Sequence, residues 1–346
     1  MRNARYACLL LSASALVLGA GLGAAQAVEL KIAHFVPPTH SVSIWIEQWS
    51  QKITKQSNGA ITFKIFPGAQ LGPPPKYYDL ARTGQADITW FVHGFTPGRF
   101  PLSEVSNLPY LVGSAEIGIK MLNEPALWKY LAKEHDGLKP LLLMTHQPGN
   151  IHTAKKPIRT VDDMKGMRLR FSSATIKDFV AALGGTPVGL PPTQIAEGMQ
   201  KGTLDGAWID YGGAEAFKIG PVTKYTTEMY SYVTSFCICM NHRSFDQLPA
   251  NLKKLIDDSL VGVEKAVGHE WDKLDAPGKA ALMKAGMTPV KLSKEQDAKF
   301  RAVGAKVAEA KLAELEKKGL PAREVYKLMQ TLAAKHEKTS KNFWMQ

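Results

Sequence analysis

Two arginines that alternate along a predicted strand are the residues in this sequence best suited to bind an anion. Within Met167–Phe171, Arg168 and Arg170 point to the same face because side chains alternate along a strand. A guanidinium can present two N–H groups to a carboxylate in one plane, whereas lysine offers only a point charge. A pair of arginines is equally typical of a solvent-exposed surface, so the spacing alone leaves both interpretations open.

Motifs for catalysis or for metal binding are missing after residue 27. The sequence contains no Gly-x-Ser-x-Gly elbow, no His-Glu-x-x-His helix and no phosphate-binding loop there. His34 and His40 lie in one predicted loop, but no histidine is paired with cysteine or another histidine at the spacing of metal ligands. We therefore expect a protein that is not an enzyme and that holds no cofactor or metal.

Composition narrows the class of protein and of partner. The 346 residues predict two domains or one large domain, and 45% hydrophobic with 21% charged residues is typical of a soluble globular protein. Lysine and arginine number 43 against 31 acidic residues, a formal charge of +12 that favours an anionic partner. The basic residues are spread along the chain, which argues against a nucleic-acid partner.

The N-terminus has the pattern of a secretory signal peptide. Arg2 and Arg5 precede a largely apolar stretch, and Ala25-Gln26-Ala27 has the small-x-small form of a cleavage site. We expect export and cleavage after Ala27. An uncleaved membrane anchor is the alternative, which the short, glycine- and alanine-rich stretch disfavours.

Two cysteines remain after cleavage, in the predicted strand Val233–Met240. Cys237 and Cys239 are two residues apart, which along an extended strand places them about 6.5 to 7 Å apart. This spacing is wide for a disulfide. We expect two buried cysteines that act as small apolar residues.

The elements that position these residues form two α/β stretches. Each has the order β-α-β-α-β, which predicts an open sheet. At a shift of 118 residues, Pro73 aligns with Pro191 and Gly84 with Gly202. The repeat predicts two similarly built lobes that face one cleft. Strands are predicted at Glu29–Ala33, Ile61–Phe66, Asp87–Val92, Met167–Phe171, Thr186–Leu190 and Asp205–Asp210, and helices at Ser41–Gln56, Pro74–Arg82, Ile176–Leu183 and Pro192–Gln200.

The sequence after Pro249 is mainly helical. Apolar residues recur at helical spacing over Leu252–Ala285, Lys294–Lys318 and Ala322–Phe343, with a short strand at Pro289–Leu292. Lysine and glutamate dominate the remaining positions, as on solvated helix faces. This region is expected to brace the lobes.

Several short motifs, in this order and spacing, resemble the solute-binding proteins of TRAP transporters, the family of the C4-dicarboxylate and sialic-acid binders. The resemblance covers essentially the whole chain after residue 27. The motifs are Pro67-Gly68-Ala69-Gln70-Leu71-Gly72, Leu108-Pro109-Tyr110-Leu111, Lys155-Lys156-Pro157-Ile158, Asp163-x-x-Gly166-x-Arg168-Leu169-Arg170, Gly202-x-x-Asp205-Gly206, Lys224-Tyr225, and Met240-Asn241 to Leu248-Pro249.

The resemblance implies a two-lobed α/β clamp with crossing strands, a long hinge-spanning helix and C-terminal helices. It implies a periplasmic, monomeric protein that captures an organic acid and delivers it to a TRAP membrane permease. Lobe I is expected to comprise residues 28–147 and 236–275, and lobe II residues 148–235 and 276–346. Two other interpretations are a binding protein of an ATP-driven importer or a ligand sensor, and an exported α/β enzyme.

The resemblance also implies site residues. Arg170 matches the arginine that forms the salt bridge to the ligand carboxylate, with Arg168 on the same face. Asn150 stands where several relatives carry a second arginine, and Asn150 and His152 could donate hydrogen bonds. Many relatives show Glu and Asn after the Asp-Gly pair, where this chain has Ala207-Trp208-Ile209-Asp210-Tyr211. Trp208 and Tyr211, with Phe171, are expected to line the ligand site.

The other edge of the cleft is expected at strand ends, where α/β proteins usually bind ligands. The loop after the first strand supplies Phe35 and His40, and the end of the third strand supplies Trp90, Phe91 and His93. Trp90 and Phe91 point to opposite faces, so only one of them can reach the ligand. This aromatic lining predicts a monocarboxylate with a flat or apolar body.

Overall fold

A computed structural model describes residues 27–345, and within this range the strands form two sheets. The first sheet contains β1 (Val28–Ala33), β2 (Ile61–Phe66), β3 (Ile88–Val92), β4 (Lys139–Thr145) and β10 (Ser235–Met240). The second contains β5 (Asn150–Thr153), β6 (Arg168–Phe171), β7 (Thr186–Gly189), β8 (Gly206–Ile209), β9 (Tyr225–Glu228) and β11 (Thr288–Lys291). The strand order is β2-β1-β3-β10-β4 in the first sheet and β11-β9-β5-β8-β6-β7 in the second.

Helices cover both sheets and follow the apolar periodicity of the sequence. In the first helix, for example, Val42, Ile46 and Ile53 are buried, and the His40 side chain caps the N-terminus. The helices are α1 (Ser41–Gln56), α2 (Tyr77–Arg82), α3 (Ala115–Leu122), α4 (Pro125–Leu131), α5 (Ala174–Ala182), α6 (Ile195–Gln200), α7 (Tyr211–Ala216), α8 (His242–Asp246), α9 (Ala250–Asp258), α10 (Glu264–Asp272), α11 (Asp275–Lys284), α12 (Lys294–Lys317) and α13 (Ala322–Glu337).

The 118-residue repeat has a structural counterpart in each sheet. Pro73 and Pro191 each precede a 3-10 turn that leads into α2 or α6, and Gly84 and Gly202 follow those helices with φ of 74° and 67°. The aspartates that follow have equivalent roles. Asp87 accepts a hydrogen bond from the backbone N–H of Lys31 at 2.7 Å, and Asp205 accepts one from that of Arg168 at 2.8 Å.

The chain passes from the first sheet to the second after β4, returns between β9 and β10, and passes to the second sheet once more between β10 and β11. The first two connections, residues 146–149 and 229–234, are the crossing segments. They are hydrogen-bonded to each other, because the N–H of Gly149 donates to the carbonyl of Tyr232 and the N–H of Ser231 donates to that of Gly149. Because β10 lies in the middle of the first sheet, the second crossing returns the chain to the centre of that sheet. These paired crossings connect two α/β lobes, as predicted.

The C-terminal helices brace both lobes. The long helix α12 packs against α5 beside the second sheet, and its buried Phe300 and Val307 belong to the core there. Helix α13 packs against α3, and its Val325 and Met329 lie in the core of the first sheet. The division of the chain between lobes at residues 147, 235 and 275 remains a prediction.

Two predicted helices are shorter than expected. The stretch Leu252–Ala285 is divided into α9, α10 and α11, and the first break contains Gly262, whose φ of 75° is incompatible with a continuing helix. The last helix ends at Glu337 instead of Phe343, and a 3-10 turn follows at Phe343–Met345.

A disulfide joins Cys237 and Cys239, although the spacing of two residues along a regular strand is wide for one. Their Cα atoms are 5.5 Å apart, closer than two residues of a regular strand. The pairing register between β10 and β4 shifts between Ile238 and Cys239. This irregularity brings the two cysteines within the range of a disulfide.

The predicted signal peptide and its cleavage site lie almost entirely outside the described residues. Between residues 27 and 345, no helix has both the length and the apolar character needed to cross a bilayer.

Candidate functional site

A cavity lies between the two lobes, where β3, β6 and β8 end. The first lobe contributes mainly aromatic side chains, and the second lobe contributes the charged ones. The crossing segments contribute His146, Tyr232 and Thr234 to the lining. The lining residues are Phe35, Val36, His40, Trp90, Val92, Phe95, His146, Arg170, Ser172, Pro192, Ile209, Asp210, Gly213, Phe217, Tyr232, Thr234, Phe236 and Trp271.

The two lobes are in contact at Gly94, next to Phe95 and Ser172 of the cavity lining. A Cβ atom added to Gly94 of the first lobe would lie only 2.9 Å from the carbonyl oxygen of Ser172 and 2.9 Å from Cβ of Ser173, both in the second lobe. Contacts this short are not tolerated between real side chains and backbone. The absence of a side chain at Gly94 therefore permits this close approach of the lobes.

Arg170 is a buried cation at the end of β6, with 3% of its surface exposed. Its Nε donates to the carbonyl of Leu190 at 2.9 Å and its Nη1 donates to that of Trp208 at 3.1 Å. No carboxylate of the described residues forms an ion pair with it within 4.0 Å, and Nη2 makes no hydrogen bond to them. Burial lowers the pKa of Arg170. A desolvated guanidinium with free N–H groups is suited to bind an anion.

Trp208 orients this arginine from behind. Its carbonyl accepts hydrogen bonds from Arg170 and from the hydroxyl of Tyr232, the latter at 2.8 Å. The indole ring is stacked on Phe179 at 5.0 Å between ring centroids, and its N–H donates to Ser231 at 3.0 Å. Trp208 is fully buried and lies outside the lining, although its backbone carbonyl accepts a hydrogen bond from Arg170.

A series of stacked aromatic rings forms the apolar wall. Trp90 stacks on Phe35 at 4.6 Å and on Phe236 at 4.7 Å, with interplanar angles of 16° and 23°. Trp271 of α10 packs on Phe236 at 5.4 Å, and the ring of His40 lies 5.9 Å from that of Trp271. Flat aromatic surfaces of this kind favour a flat apolar body in the ligand.

His40 adds a neutral polar group to this wall. Its Nδ1 accepts a hydrogen bond from the N–H of Val42 at 3.2 Å, which leaves the proton of the neutral ring on Nε2. Burial lowers the pKa of His40 to about 3. At neutral pH the side chain is therefore uncharged and can donate a hydrogen bond from Nε2.

Asp210, which directly follows β8, forms a second polar cluster of the lining together with His146. One carboxylate oxygen, Oδ2, accepts the N–H of Gly213 at 2.8 Å, and Oδ1 lies 3.6 Å from Nδ1 of His146. Nε2 of His146 accepts the N–H of Thr234 at 3.0 Å, so its proton lies on Nδ1, in contact with the carbonyl of Gln147. Burial lowers the pKa of His146. Arg170 and Asp210 are thus the charged residues of the lining.

Four predicted site residues line the cavity: Phe35, His40, Trp90 and Arg170. Of the pair Trp90 and Phe91, only Trp90 faces the cavity, and Phe91 packs on Tyr78 and Phe100 behind the strand. His93 is also outside the lining.

His93 and Arg168 have partners elsewhere. The Nε2 atoms of His93 and His135 lie 3.1 Å apart in a buried pair. Arg168 is exposed and binds Asp205 through Nε at 3.0 Å and Nη2 at 2.8 Å. Neither side chain belongs to the lining.

The polar residues predicted on β5 are also directed away from the cavity. Oδ1 of Asn150 accepts the N–H groups of Met229 and Tyr230, both at 2.9 Å. His152 contacts Thr226 at 2.8 Å and the carbonyl of Ile209 at 3.1 Å, and burial lowers its pKa to about 4. Both side chains connect strands of the second sheet.

The remaining two predicted aromatic residues, Tyr211 and Phe171, have their contacts within the second lobe. The hydroxyl of buried Tyr211 donates to Glu228 at 3.1 Å. Phe171 is half-buried and packs against the core of the second lobe. Neither belongs to the lining.

The cavity contains residues that no motif in the sequence indicated, notably His146, Asp210, Tyr232, Phe236 and Trp271. Asp210 follows a predicted strand, so the rule that ligands bind at strand ends could have indicated it. The others lie in crossing segments, in β10 or in α10. Only the tertiary fold brings these parts of the chain to the cavity.

Comparison with known proteins identifies the family. Residues 32–315 match the model of the bacterial extracellular solute-binding proteins, family 7. The chain belongs to this family. TRAP solute-binding proteins are periplasmic, bind small organic acids and work with a membrane permease, and this chain is such a carboxylate-binding transport protein.

Solved TRAP solute-binding proteins share its two-lobed fold. One from a marine metagenome, specific for aromatic acid ligands, is 32% identical, with a TM-score of 0.85, 90% of this chain and 99% of that chain covered. It was solved with 3-hydroxybenzoate. A second, from Rhodoferax ferrireducens T118 with copurified benzoate, is 30% identical, with a TM-score of 0.85 and coverage of 91% and 100%. A third, from Bordetella bronchiseptica with bound mandelate, is 25% identical, with a TM-score of 0.81 and coverage of 89% and 99%.

Proposed function

We propose that this TRAP solute-binding protein captures an aromatic monocarboxylate and presents it to its permease without chemical change. The observation that carries the proposal is the position of Arg170. It is a buried arginine without an ion-pair partner among the described residues, at the end of a cavity walled by stacked aromatic rings. The ligand carboxylate binds the free N–H groups of the guanidinium, and its ring contacts the aromatic wall.

The charges of the lining support one carboxylate in preference to two. Arg170 is its cation, His40 and His146 are neutral, and Asp210 is an anion. A second carboxylate would be buried near Asp210 without a cation of its own, which is costly. The aromatic rings of the wall offer few hydrogen-bond acceptors for the hydroxyls of a sugar acid, which lose their hydrogen bonds to water on binding.

Closure of the lobes accompanies binding. The crossing segments provide the hinge, and Gly94 permits the close contact with Ser172. Within this proposal, the signal peptide is cleaved after Ala27, the protein is a monomer, and the lobes divide near residues 147, 235 and 275.

The ligand itself provides the test. Protein purified from its native host is denatured, and the released small molecules are identified by mass spectrometry. The same protein, stripped by unfolding and refolding, is then screened by thermal shift with benzoate, phenylacetate, succinate and galacturonate. We expect the aromatic acids to raise the melting temperature, because a ligand that binds only the folded state stabilises it. A shift with succinate or galacturonate alone would contradict the proposal.

A further inference from the structure

The cavity holds a buried carboxylate that ligand capture through Arg170 does not use. Asp210 is 4% exposed and lines the cavity between the end of β8 and the start of α7. A buried carboxylate normally has its oxygens hydrogen-bonded, because the desolvated charge is otherwise costly. The hydrogen bonds of Asp210 therefore bear on what the ligand must supply.

One of its oxygens lacks a donor. Oδ2 accepts the N–H of Gly213 at 2.8 Å, but Oδ1 has no hydrogen bond to any of residues 27–345. The nearest ring nitrogen, Nδ1 of His146, is 3.6 Å away, beyond hydrogen-bond distance. That nitrogen directs its proton to the carbonyl of Gln147, because Nε2 already accepts the N–H of Thr234.

The nearby cation does not satisfy Oδ1 either. Arg170 and Asp210 line the same cavity but form no ion pair within 4.0 Å in the described structure. A ligand carboxylate on Arg170 thus enters a space that already contains a negative charge. A donor group on the same ligand, directed at Asp210, would offset this repulsion and complete the hydrogen bonds of Oδ1.

We infer that the ligand carries a hydroxyl group that donates a hydrogen bond to Oδ1 of Asp210. This inference rests on the proposed function and restricts it to hydroxylated aromatic acids. A hydroxyl fits better than an ammonium group, because an ammonium has three N–H donors and requires an acceptor for each. In the lining, Oδ1 of Asp210 is a carboxylate oxygen without a donor among the described residues, and a single hydroxyl supplies the one donor that it lacks.

Matched ligands test this assignment. Calorimetry measures the Kd of phenylacetate, of its 2-, 3- and 4-hydroxy derivatives, of both mandelate enantiomers and of phenylglycine. All share a ring and a carboxylate, and they differ in one donor group. We expect at least one hydroxylated acid to bind about tenfold or more tightly than phenylacetate, as for a hydrogen bond to a charged group.

The variant Asp210→Asn assigns that gain to its residue. Asparagine can still accept the N–H that caps α7, so the fold is expected to persist. The preference for the hydroxylated acid over phenylacetate should fall by about tenfold in Asp210→Asn. Asp210→Ala, checked for folding by circular dichroism, should show the same loss of preference.

Three results would overturn the inference. They are equal affinity of the wild type for phenylacetate and every hydroxylated acid, an unchanged preference in Asp210→Asn, and tightest binding by phenylglycine. In each of these cases aromatic acids still bind, so the proposed function stands. Failure of all the aromatic acids to bind would instead contradict the proposed function, and this inference with it.

Discussion

Replacement of Arg170 by methionine should separate ligand binding from folding. Methionine fills a similar volume with an apolar chain, so the substitution removes the charge with little change in packing. Arg170 is 3% exposed and has no ion-pair partner among the described residues, so a ligand carboxylate would be its counter-ion. Loss of one partner of a desolvated charge pair costs about 2 to 5 kcal/mol. Affinity for benzoate or phenylacetate should therefore fall about 30-fold or more.

The stability of the unliganded protein should change much less. The folded wild type bears the cost of desolvating the guanidinium, and methionine removes that cost. Against this, the carbonyls of Leu190 and Trp208 lose a donor each. Because these contributions oppose each other, we expect the ligand-free melting temperature to shift by only a few degrees, about 2 to 4 °C per kcal/mol or less in a chain of this size.

Calorimetric titration and scanning calorimetry of the ligand-free protein measure both quantities. Arg168→Met is the matched control, because Arg168 lies on the same strand but is exposed and paired with Asp205. It should bind ligand within about twofold of the wild type, since exposed ion pairs contribute little. Unchanged affinity in a folded Arg170→Met protein would refute the assignment of Arg170 as the carboxylate partner.

Three further outcomes are expected. Gly94→Val should weaken binding about tenfold and abolish any ligand-induced decrease in radius of gyration, since a Cβ there would lie 2.9 Å from the Ser172 carbonyl. Gly59→Asn is the control, because Gly59 has a φ of 79° and no neighbour within 4 Å, and normal closure of Gly94→Val would contradict this role. Burial lowers the folded-state pKa of His152 to about 4, below its ordinary 6.5, so its protonation favours the unfolded state as pH falls below 6.5. In urea titrations, His152→Gln should therefore reduce the loss of unfolding free energy between pH 7.5 and 5 by about 2 kcal/mol, and equal losses in both proteins would be inconsistent with a neutral, buried His152. Alkylation in denaturant should label Cys237 and Cys239 only after reduction, and labelling beforehand would argue against the disulfide.

The sequence predicted the parts of the fold and site that depend on local pattern. Side chains alternate along strands, so the opposite directions of Trp90 and Phe91 could be predicted. The repeat of proline, helix, glycine and aspartate likewise predicted equivalent elements in the two lobes. The aspartate of this repeat also explains why Arg168 is outside the lining. Asp205 accepts hydrogen bonds from the backbone N–H and from the guanidinium of Arg168, and Asp87 likewise accepts one from the backbone N–H of Lys31.

Other site residues depend on contacts between distant segments. Trp271 reaches the aromatic wall from α10, although it is 181 residues from Trp90 in the sequence, and no local pattern separates it from an ordinary core tryptophan. The resemblance places Asn150 in the site because several relatives carry an arginine there, but the N–H groups of Met229 and Tyr230 occupy its oxygen. The hydrogen bonds of a polar residue become countable only when its neighbours in space are known.

The central claim is that Arg170 and the stacked rings bind an aromatic monocarboxylate. The most direct measurement is a competition on one preparation of ligand-free wild-type protein, followed by tryptophan fluorescence, because Trp90 and Trp271 line the cavity. Phenylacetate and 3-hydroxyphenylacetate are titrated alone and then in the presence of excess succinate or galacturonate. The account predicts a saturable fluorescence change with the aromatic acids that succinate and galacturonate do not displace. Tight binding of succinate or galacturonate, with no response to any aromatic acid, would contradict it.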